Sequence, residues 1–143
     1  MAYDIPTLLK MTQADLDALF KASPPGPIPD GEGDGTAIVA PGTAFTPEIA
    51  RFINLFAWQG KIFDAKAGLL RNRILAFGIN AIIARVYVAP SWIDQRDCIV
   101  LDYSETSIVA QWIRDEIRLI SPGLYLGNVF WNRGRLIDFA LQF

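Results

Sequence analysis

The sequence predicts a mainly β protein of the α+β class. We expect a small antiparallel barrel or strongly bent sheet, with a helix near the N-terminus and a second helix across the barrel mouth. About seven short apolar runs follow one another from Gly60 onward, separated by Gly, Pro, Asn or Asp. The pattern shows few long helices and no βαβ alternation. The last two runs flank a Gly-containing turn, as in a β-hairpin.

The composition fits one domain with a large apolar core. The chain has 143 residues, 52% of them hydrophobic, and a chain of this length buries roughly two thirds of its unfolded surface without disulfides or metal. We therefore expect a single domain over 1–143, with a helix and a Pro/Gly-rich lead in 1–35 and the barrel with inserted helices in 36–143. The apolar excess favours a lined cavity, an oligomer interface or a membrane contact.

One helix is predicted in the N-terminal segment. Thr12 lies three positions before Asp15, which is the spacing of an N-cap residue and an acid at a helix start. Apolar residues then recur at helical spacing. This pattern predicts a helix over Gln13–Ala22. The prolines of residues 23–29 fix φ and remove amide donors, so the chain is expected to run extended after the helix.

A strand and a second helix are predicted next. The Gly-rich segment 31–35 carries two acids and no Lys, which favours a flexible turn over a phosphate loop. The turn is expected to lead into a strand over Thr36–Ala40. Thr46 and Pro47 then form a helix start, and apolar residues at helical spacing predict a helix over Pro47–Ala57. We expect its Phe-rich stripe to lie across the barrel mouth.

The rest of the chain is predicted to be mostly strands. A short helix is expected between Ser104 and Ile113, where several capping residues precede apolar residues at helical spacing. The predicted strands are Lys61–Ala65, Leu69–Phe77, Ala81–Ala89, Cys98–Tyr103, Glu116–Ile120, Leu124–Trp131 and Leu136–Phe143.

The residue inventory excludes several functions. Histidine is absent, which removes Ser-His-Asp and Cys-His catalysis and leaves carboxylates, Tyr, Lys and Arg for chemistry. The net charge of −2 provides no basic field for binding nucleic acid. No cofactor motif or metal-ligand pattern is present, so no cofactor and no metal are expected. Cys98 lies in an apolar run and is interpreted as a core residue.

The N-terminal and apolar segments predict a cytoplasmic protein without an integral membrane segment. Asp4 stands where a signal peptide would have a positive region, and no long apolar core follows. The most apolar stretch, 74–88, is too short for a typical spanning helix and contains Asn80 and Arg85. We interpret it as a buried strand.

The densest polar cluster consists of two segments, Asp102-Tyr103-Ser104-Glu105 and Arg114-Asp115-Glu116-Ile117-Arg118. In a strand, Arg114, Glu116 and Arg118 share one face while Asp115 shares the other with its apolar neighbours. Two interpretations remain open. The charged face is solvated and forms cross-strand ion pairs, or Glu116 and Arg118 enter a cavity as the polar end of an apolar pocket, together with Tyr103 or Tyr125.

Four motifs between Trp58 and Gly127 resemble a family of small uncharacterised bacterial proteins with a lipocalin-like, or calycin-like, barrel. The motifs are Trp58-Gln59-Gly60-Lys61-Ile62-Phe63, Asp102-Tyr103, Arg114-Asp115-Glu116-Ile117-Arg118 and Gly123-Leu124-Tyr125-Leu126-Gly127. The resemblance implies a barrel with an internal apolar site, with Arg118 and Tyr125 as cavity groups. The chain lacks the signal peptide, the N-terminal Gly-x-Trp strand and the disulfides of true lipocalins, so extracellular transport is not implied.

The first functional hypothesis is binding of a small hydrophobic or amphipathic ligand, such as a fatty, terpenoid or aromatic acid, inside the barrel. A closed barrel of this size holds one small ligand. The residues expected to contact the ligand are Phe52, Phe56, Tyr87, Trp112, Arg118, Tyr125 and Phe139.

Two further hypotheses stand beside it. The second is a cofactor-free isomerase, cyclase or lyase that uses the same cavity, with Glu116 or Asp115 as acid/base and Arg118 holding an anion. Its proton donor would be Tyr103 or Tyr125. The third is an interaction protein whose apolar excess forms a homodimer interface, expected at an exposed strand edge near the C-terminal end.

Overall fold

The computed structural model describes residues 3–40, 47, 58–74, 79–105 and 111–143. Within the strands, only the backbone is described at 58–60, 72–74 and 79–82. The predicted helix Pro47–Ala57 lies outside the described residues except for Pro47, which is helical. The predicted ligand contacts Phe52 and Phe56 belong to the same undescribed segment.

Two short helices precede the strands of the structure. They are α1 (Ile5–Lys10) and α2 (Gln13–Ala22). The strands are β1 (Gly31–Ile38), β2 (Trp58–Asp64), β3 (Leu69–Ile74), β4 (Ile79–Pro90), β5 (Asp97–Asp102), β6 (Ile113–Ser121), β7 (Leu124–Trp131) and β8 (Gly134–Gln142).

The strands form a closed antiparallel barrel, which confirms the predicted fold class. Each strand pairs with its neighbour in the chain, and β8 pairs with β1 to close the sheet. The predicted final hairpin is present between β7 and β8, where Trp131 pairs with Gly134. Its two loop residues, Asn132 and Arg133, have φ of 49° and 73°, as the twist of a tight hairpin requires.

Closure of the barrel removes the strand edge expected near the C-terminal end. The register pairs β8 with β1 from Asp34↔Gln142 to Ile38↔Asp138, and β7 occupies the other side of β8. The expectation of an exposed β8 edge that would recruit a second copy is therefore wrong.

Among the described residues, no helix is long and apolar enough to cross a membrane.

The N-terminal elements agree with the sequence in part. Helix α2 has the predicted bounds, and the Thr12 hydroxyl accepts a hydrogen bond from the Asp15 amide. Helix α1 was not predicted, because six residues are too few to show a periodic apolar pattern. The Asp4 side chain caps it by accepting from the Thr7 amide.

Strand β1 begins earlier than predicted. The segment 31–35, interpreted as a flexible turn, is part of the strand, so that prediction is wrong. Gly33 lies under the ring of Phe143, and a Cβ added at Gly33 would come within 2.6 Å of that ring. The glycine therefore permits close packing in a strand, where sequence reasoning assigned it to a turn.

The helix expected between Ser104 and Ile113 is not found where the structure describes that segment. Gln111 and Trp112 form a turn, and Ile113 begins β6. Residues 106–110 lie outside the description. The side chain of Ile113 joins the barrel interior, because strand pairing with Trp131 on β7 overrides the local capping pattern.

The side chains form two apolar clusters, one on each face of the barrel wall. The inner cluster lies on the inside of the barrel and includes Phe63, Leu70, Ile117, Val129 and Phe139. The outer cluster joins α1 and α2 to the outside of the wall and includes Leu8, Leu16, Phe20, Val100 and Leu126. The strict alternation of inner and outer residues along β6 and β7 decides which polar groups enter the barrel.

Candidate ligand site inside the barrel

Three polar side chains meet inside the barrel. Asp115 lies on β6 and Lys61 on β2, and Tyr103 is the residue immediately after β5. All three are buried, with relative exposures of 0% for Lys61, 0% for Tyr103 and 1% for Asp115. We call these three residues the interior triad.

The interior triad is held by short contacts. Lys61 Nζ donates a hydrogen bond of 2.8 Å to Tyr103 Oη and lies 3.4 Å from Asp115 Oδ2. Tyr103 Oη in turn donates to Asp115 Oδ2 over 3.4 Å. The ammonium also lies 5.7 Å from the centre of the Phe139 ring, within the range of a cation–π contact.

One oxygen of Asp115 remains without a partner. Among the described residues, no donor reaches the buried Oδ1 atom. A buried acceptor that has lost its water and gained no partner costs about 1–3 kcal/mol. Asp115 Oδ1 is therefore an open hydrogen-bonding position in the barrel wall.

Burial changes the proton affinity of the pair. Burial raises the pKa of Asp115 to about 6, although the Lys61 charge and its hydrogen bond act in the opposite direction. Burial also lowers the pKa of Lys61, although Asp115 partly offsets this change. Both shifts disfavour the charged forms, so the neutral pair lies closer in free energy to the ion pair than it would in water.

Two of the predicted ligand contacts line the same interior. Phe139 is fully buried and lies beside the Lys61 ammonium. Tyr125 is also on the inner face, and its hydroxyl donates to the Pro27 carbonyl over 2.7 Å. This hydrogen bond holds the proline-rich segment 23–29 against the barrel. It also occupies the Tyr125 hydroxyl, which was predicted as a proton donor. Burial raises the pKa of Tyr125.

Glu116 and Arg118 lie on the outer face, contrary to their expected position inside the barrel. The Glu116 carboxylate accepts hydrogen bonds from Ser91 Oγ, the Trp92 amide and Arg114 Nη2 at 2.6, 2.8 and 2.9 Å. Glu116 is nevertheless fully buried, because the loop after β4 covers it. The outer charges are thus neither solvated nor inside the barrel.

Arg118 joins the outer wall to helix α2. Its guanidinium binds both carboxylate oxygens of Asp94 at 2.7 and 2.8 Å and donates to the Phe20 carbonyl at 3.0 Å. The guanidinium carbon also lies 4.4 Å from the centre of the Phe20 ring, within the range of a cation–π contact. The side chain is 1% exposed, and each of these contacts positions the helix or the loop.

Tyr87 and Trp112 also lie away from the interior. Tyr87 is on the outer face of β4 and donates to Asp102 at 2.7 Å. Burial and this hydrogen bond raise the pKa of Tyr87 to about 12. Trp112 is 58% exposed in the turn before β6. The position of Tyr87 follows from the period-two alternation, since Val86 beside it is on the inner face. Trp112 precedes the first strand residue, Ile113, which is the one that faces inward.

Sequence reasoning missed Lys61 as a site residue. The signal was present: Lys61 and Phe63 are two positions apart and share one face of β2. A lysine at the first position of a predicted strand, as Lys61 is in Lys61–Ala65, is ordinarily interpreted as solvent-exposed. Only the pairing across the barrel shows that the inner face of β2 meets Asp115 and Tyr103.

A surface cavity of about 430 Å³ lies beside β2 and β3 and is distinct from the interior triad. Its lining includes Asp30, Asp64, Leu69 and Arg71, and no triad residue belongs to it. The volume falls in the range of small-molecule sites, but the buried pair of Lys61 and Asp115 lies outside its lining. We therefore place the candidate site at the interior triad.

Comparison with known proteins supports the fold. No family model matches the chain, and no curated protein matches its sequence. A solved structure described as the crystal structure of a protein from Thermomonospora curvata is similar, with a TM-score of 0.64 and 17% sequence identity. The match covers 93% of this chain and 88% of that chain. The described residues form a closed eight-stranded antiparallel barrel, and the similarity to this solved structure supports that fold.

Proposed function

We propose that the barrel binds one small, mainly apolar molecule that carries a hydrogen-bond donor. The donor would bind Asp115 Oδ1, the buried acceptor that has no partner among the described residues. This oxygen is the observation that carries the proposal. A ligand hydroxyl would supply the missing hydrogen bond without displacing Lys61 or Tyr103, which contact the other oxygen.

The surroundings of the interior triad support an apolar ligand. The inner wall is built from aliphatic and aromatic side chains such as Ile117, Val129 and Phe139. A few convergent polar groups in an otherwise apolar site are typical of small-molecule pockets. Membership of a lipocalin-like family, which the barrel fold fits, would point in the same direction.

The ligand class is an amphipathic alcohol, phenol or acid. The carboxylate of a fatty, terpenoid or aromatic acid, the ligands suggested by the sequence, would pair with Lys61. The predicted cation, Arg118, lies outside the barrel. Asp115 would have to be protonated beside a carboxylate. With a pKa of about 6 for Asp115, acids would bind more tightly below that pH than above it.

A second function, cofactor-free catalysis, is favoured by one specific observation. An acid and a tyrosine converge inside the barrel, with Tyr103 Oη 3.4 Å from Asp115 Oδ2. Of the four predicted catalytic residues, Asp115 and Tyr103 retain this role as a proposal. Glu116 lies on the outer face, and the hydroxyl of Tyr125 is bound to Pro27.

Matched ligand pairs test the binding proposal. We would titrate the purified protein with 4-alkylphenols and 1-alkanols, and with their methyl ethers, by calorimetry and native mass spectrometry. The ethers have nearly the same apolar surface but no donor. Since a hydrogen bond to a charged group contributes about 1.5–3 kcal/mol, the ethers are expected to bind at least about tenfold more weakly.

Two variants make the test specific to Asp115. The double variant Lys61→Met with Asp115→Leu removes the interior charges together and should lose the preference for the hydroxyl compounds. Asp97→Asn, which changes an exposed acid at the start of β5, should keep it. Equal binding of phenols and ethers, or binding of neither series, would overturn the proposal.

A further inference from the structure

Lys61 differs from the other lysines of the chain in its surroundings. Lys10, Lys21 and Lys66 are exposed, whereas Lys61 is fully buried between a tyrosine hydroxyl and a carboxylate. A buried amine beside a proton donor and a proton acceptor is the arrangement that amine nucleophiles use with carbonyl compounds. No role was predicted for Lys61 from the sequence.

We propose that Lys61 is a nucleophile that forms an imine with an apolar aldehyde or ketone bound in the barrel, with Tyr103 and Asp115 moving the protons. This inference rests on the proposed function, since the carbonyl compound must first enter the ligand site. It adds apolar aldehydes and ketones to the compounds that this site would take. These compounds have no donor for Asp115 Oδ1 and would instead be held by the covalent bond to Lys61.

The contacts of the interior triad supply each proton that the reaction needs. Lys61 first gives a proton to Asp115 Oδ2 and becomes a neutral amine. Its Nζ lone pair forms a bond to the carbonyl carbon, and the π electrons of the carbonyl move to its oxygen. Tyr103 Oη, 2.8 Å from Nζ, passes a proton from the nitrogen to that oxygen, which gives a neutral carbinolamine.

Loss of water completes the step. Protonated Asp115 returns its proton to the carbinolamine hydroxyl, the C–O bond breaks, and water leaves as the C=N bond forms. The iminium carries the positive charge that the ammonium carried at the start, and Asp115 is again a carboxylate. No oxidant, reductant or cofactor is consumed. The product charge rests against the same carboxylate and the same Phe139 ring.

The direction of the pKa changes is consistent with this chemistry. Burial lowers the pKa of Lys61 and raises the pKa of Asp115, so the initial proton transfer between them costs less than it would in water. An exposed lysine such as Lys66 has no such partner pair among the contacts of the described residues. Reaction at the two lysines should therefore differ in rate.

Reductive trapping with a matched probe pair tests the inference. The protein would be incubated with 4-pentylbenzaldehyde and sodium cyanoborohydride, and the labelled lysine identified by peptide mass spectrometry. We expect one equivalent of label, on Lys61, formed at least about tenfold faster than on Lys66. Lys61→Met should abolish this label. Tyr103→Phe should slow it at least about tenfold.

The alcohol probe, 4-pentylbenzyl alcohol, separates the two proposals. If the alcohol binds and the aldehyde labels only the exposed lysines, the imine inference is overturned and the binding proposal stands. If neither compound binds and Lys61 is unlabelled, both fail. Labelling of Lys61 at the rate of Lys66, or a rate that Tyr103→Phe leaves unchanged, would also overturn the role assigned to the triad.

Discussion

The ring of Phe139 lies directly over Gly127, its partner across the β7–β8 ladder. A Cβ added at Gly127 would stand 2.3 Å from Phe139 Cζ. Phe139 is fully buried and also contacts the Lys61 ammonium, so the glycine gives the ring the space that brings it beside the interior triad. A position without a side chain thus helps to shape the candidate site.

Gly127→Ala is expected to lower the free energy of unfolding by about 1–3 kcal/mol, the usual cost of overpacking a core. Urea denaturation would measure the loss. Gly134→Ala serves as the control, because a Cβ there meets the Trp131 carbonyl at an ordinary 3.6 Å; it should change stability by less than about 0.5 kcal/mol. Equal effects of the two substitutions would contradict the packing argument.

Lys61 and Asp115 should show strong energetic coupling. Lys61→Met or Asp115→Leu alone leaves one buried ionisable group without its partner, and each is expected to cost about 3–5 kcal/mol. The double variant removes both groups and should recover most of this loss. A double-mutant cycle by urea denaturation measures the coupling. Additive losses in the double variant would show that the two groups do not act as a pair.

The stability of the protein should depend on pH through the titration of Asp115. Its pKa of about 6 in the folded protein lies above the value of about 4 expected for an unfolded aspartate. The native state therefore binds more protons between these values. The contribution of this group is fully present below about pH 4 and is lost as the pH rises through about 6.

Comparison with Asp115→Asn isolates this effect, because the other carboxylates are common to both proteins. The stability of the wild type relative to the variant should fall between pH 4 and pH 6, as measured by urea midpoints. A carboxyl ¹³C resonance of Asp115 that titrates near pH 6 would support the same assignment. A difference in stability that does not change over this interval would refute it.

Arg118 is expected to hold helix α2 and the β4–β5 loop against the barrel. Arg118→Met should cost about 3–5 kcal/mol, since it leaves Asp94 without its bidentate partner and the Phe20 carbonyl without its donor. Amide hydrogen exchange should accelerate in α2. Arg96→Met, at a side chain that is 63% exposed, is the matched control and should leave exchange in α2 unchanged. Slow exchange in α2 of both variants would argue against this role.

Local patterns in the sequence determined much of the fold. The cap at Thr12 and the apolar spacing after it predicted α2, and two apolar runs on either side of a Gly-containing turn predicted the final hairpin. These features depend on neighbouring residues, so a linear pattern contains them. The alternation along β6 also separated Asp115 correctly from Glu116 and Arg118.

The sequence alone could not decide which face of β6 enters the barrel. A period of two is the same whichever face is inside, and residues from distant strands settle the choice. Closure of β8 on β1 placed Lys61 of β2 against Asp115 and Tyr103. Helix α2 and the β4–β5 loop lie over Glu116 and Arg118, so both side chains are buried on the outer face. The interior triad depends on contacts between residues far apart in the chain, and only the tertiary structure brings them within hydrogen-bonding distance.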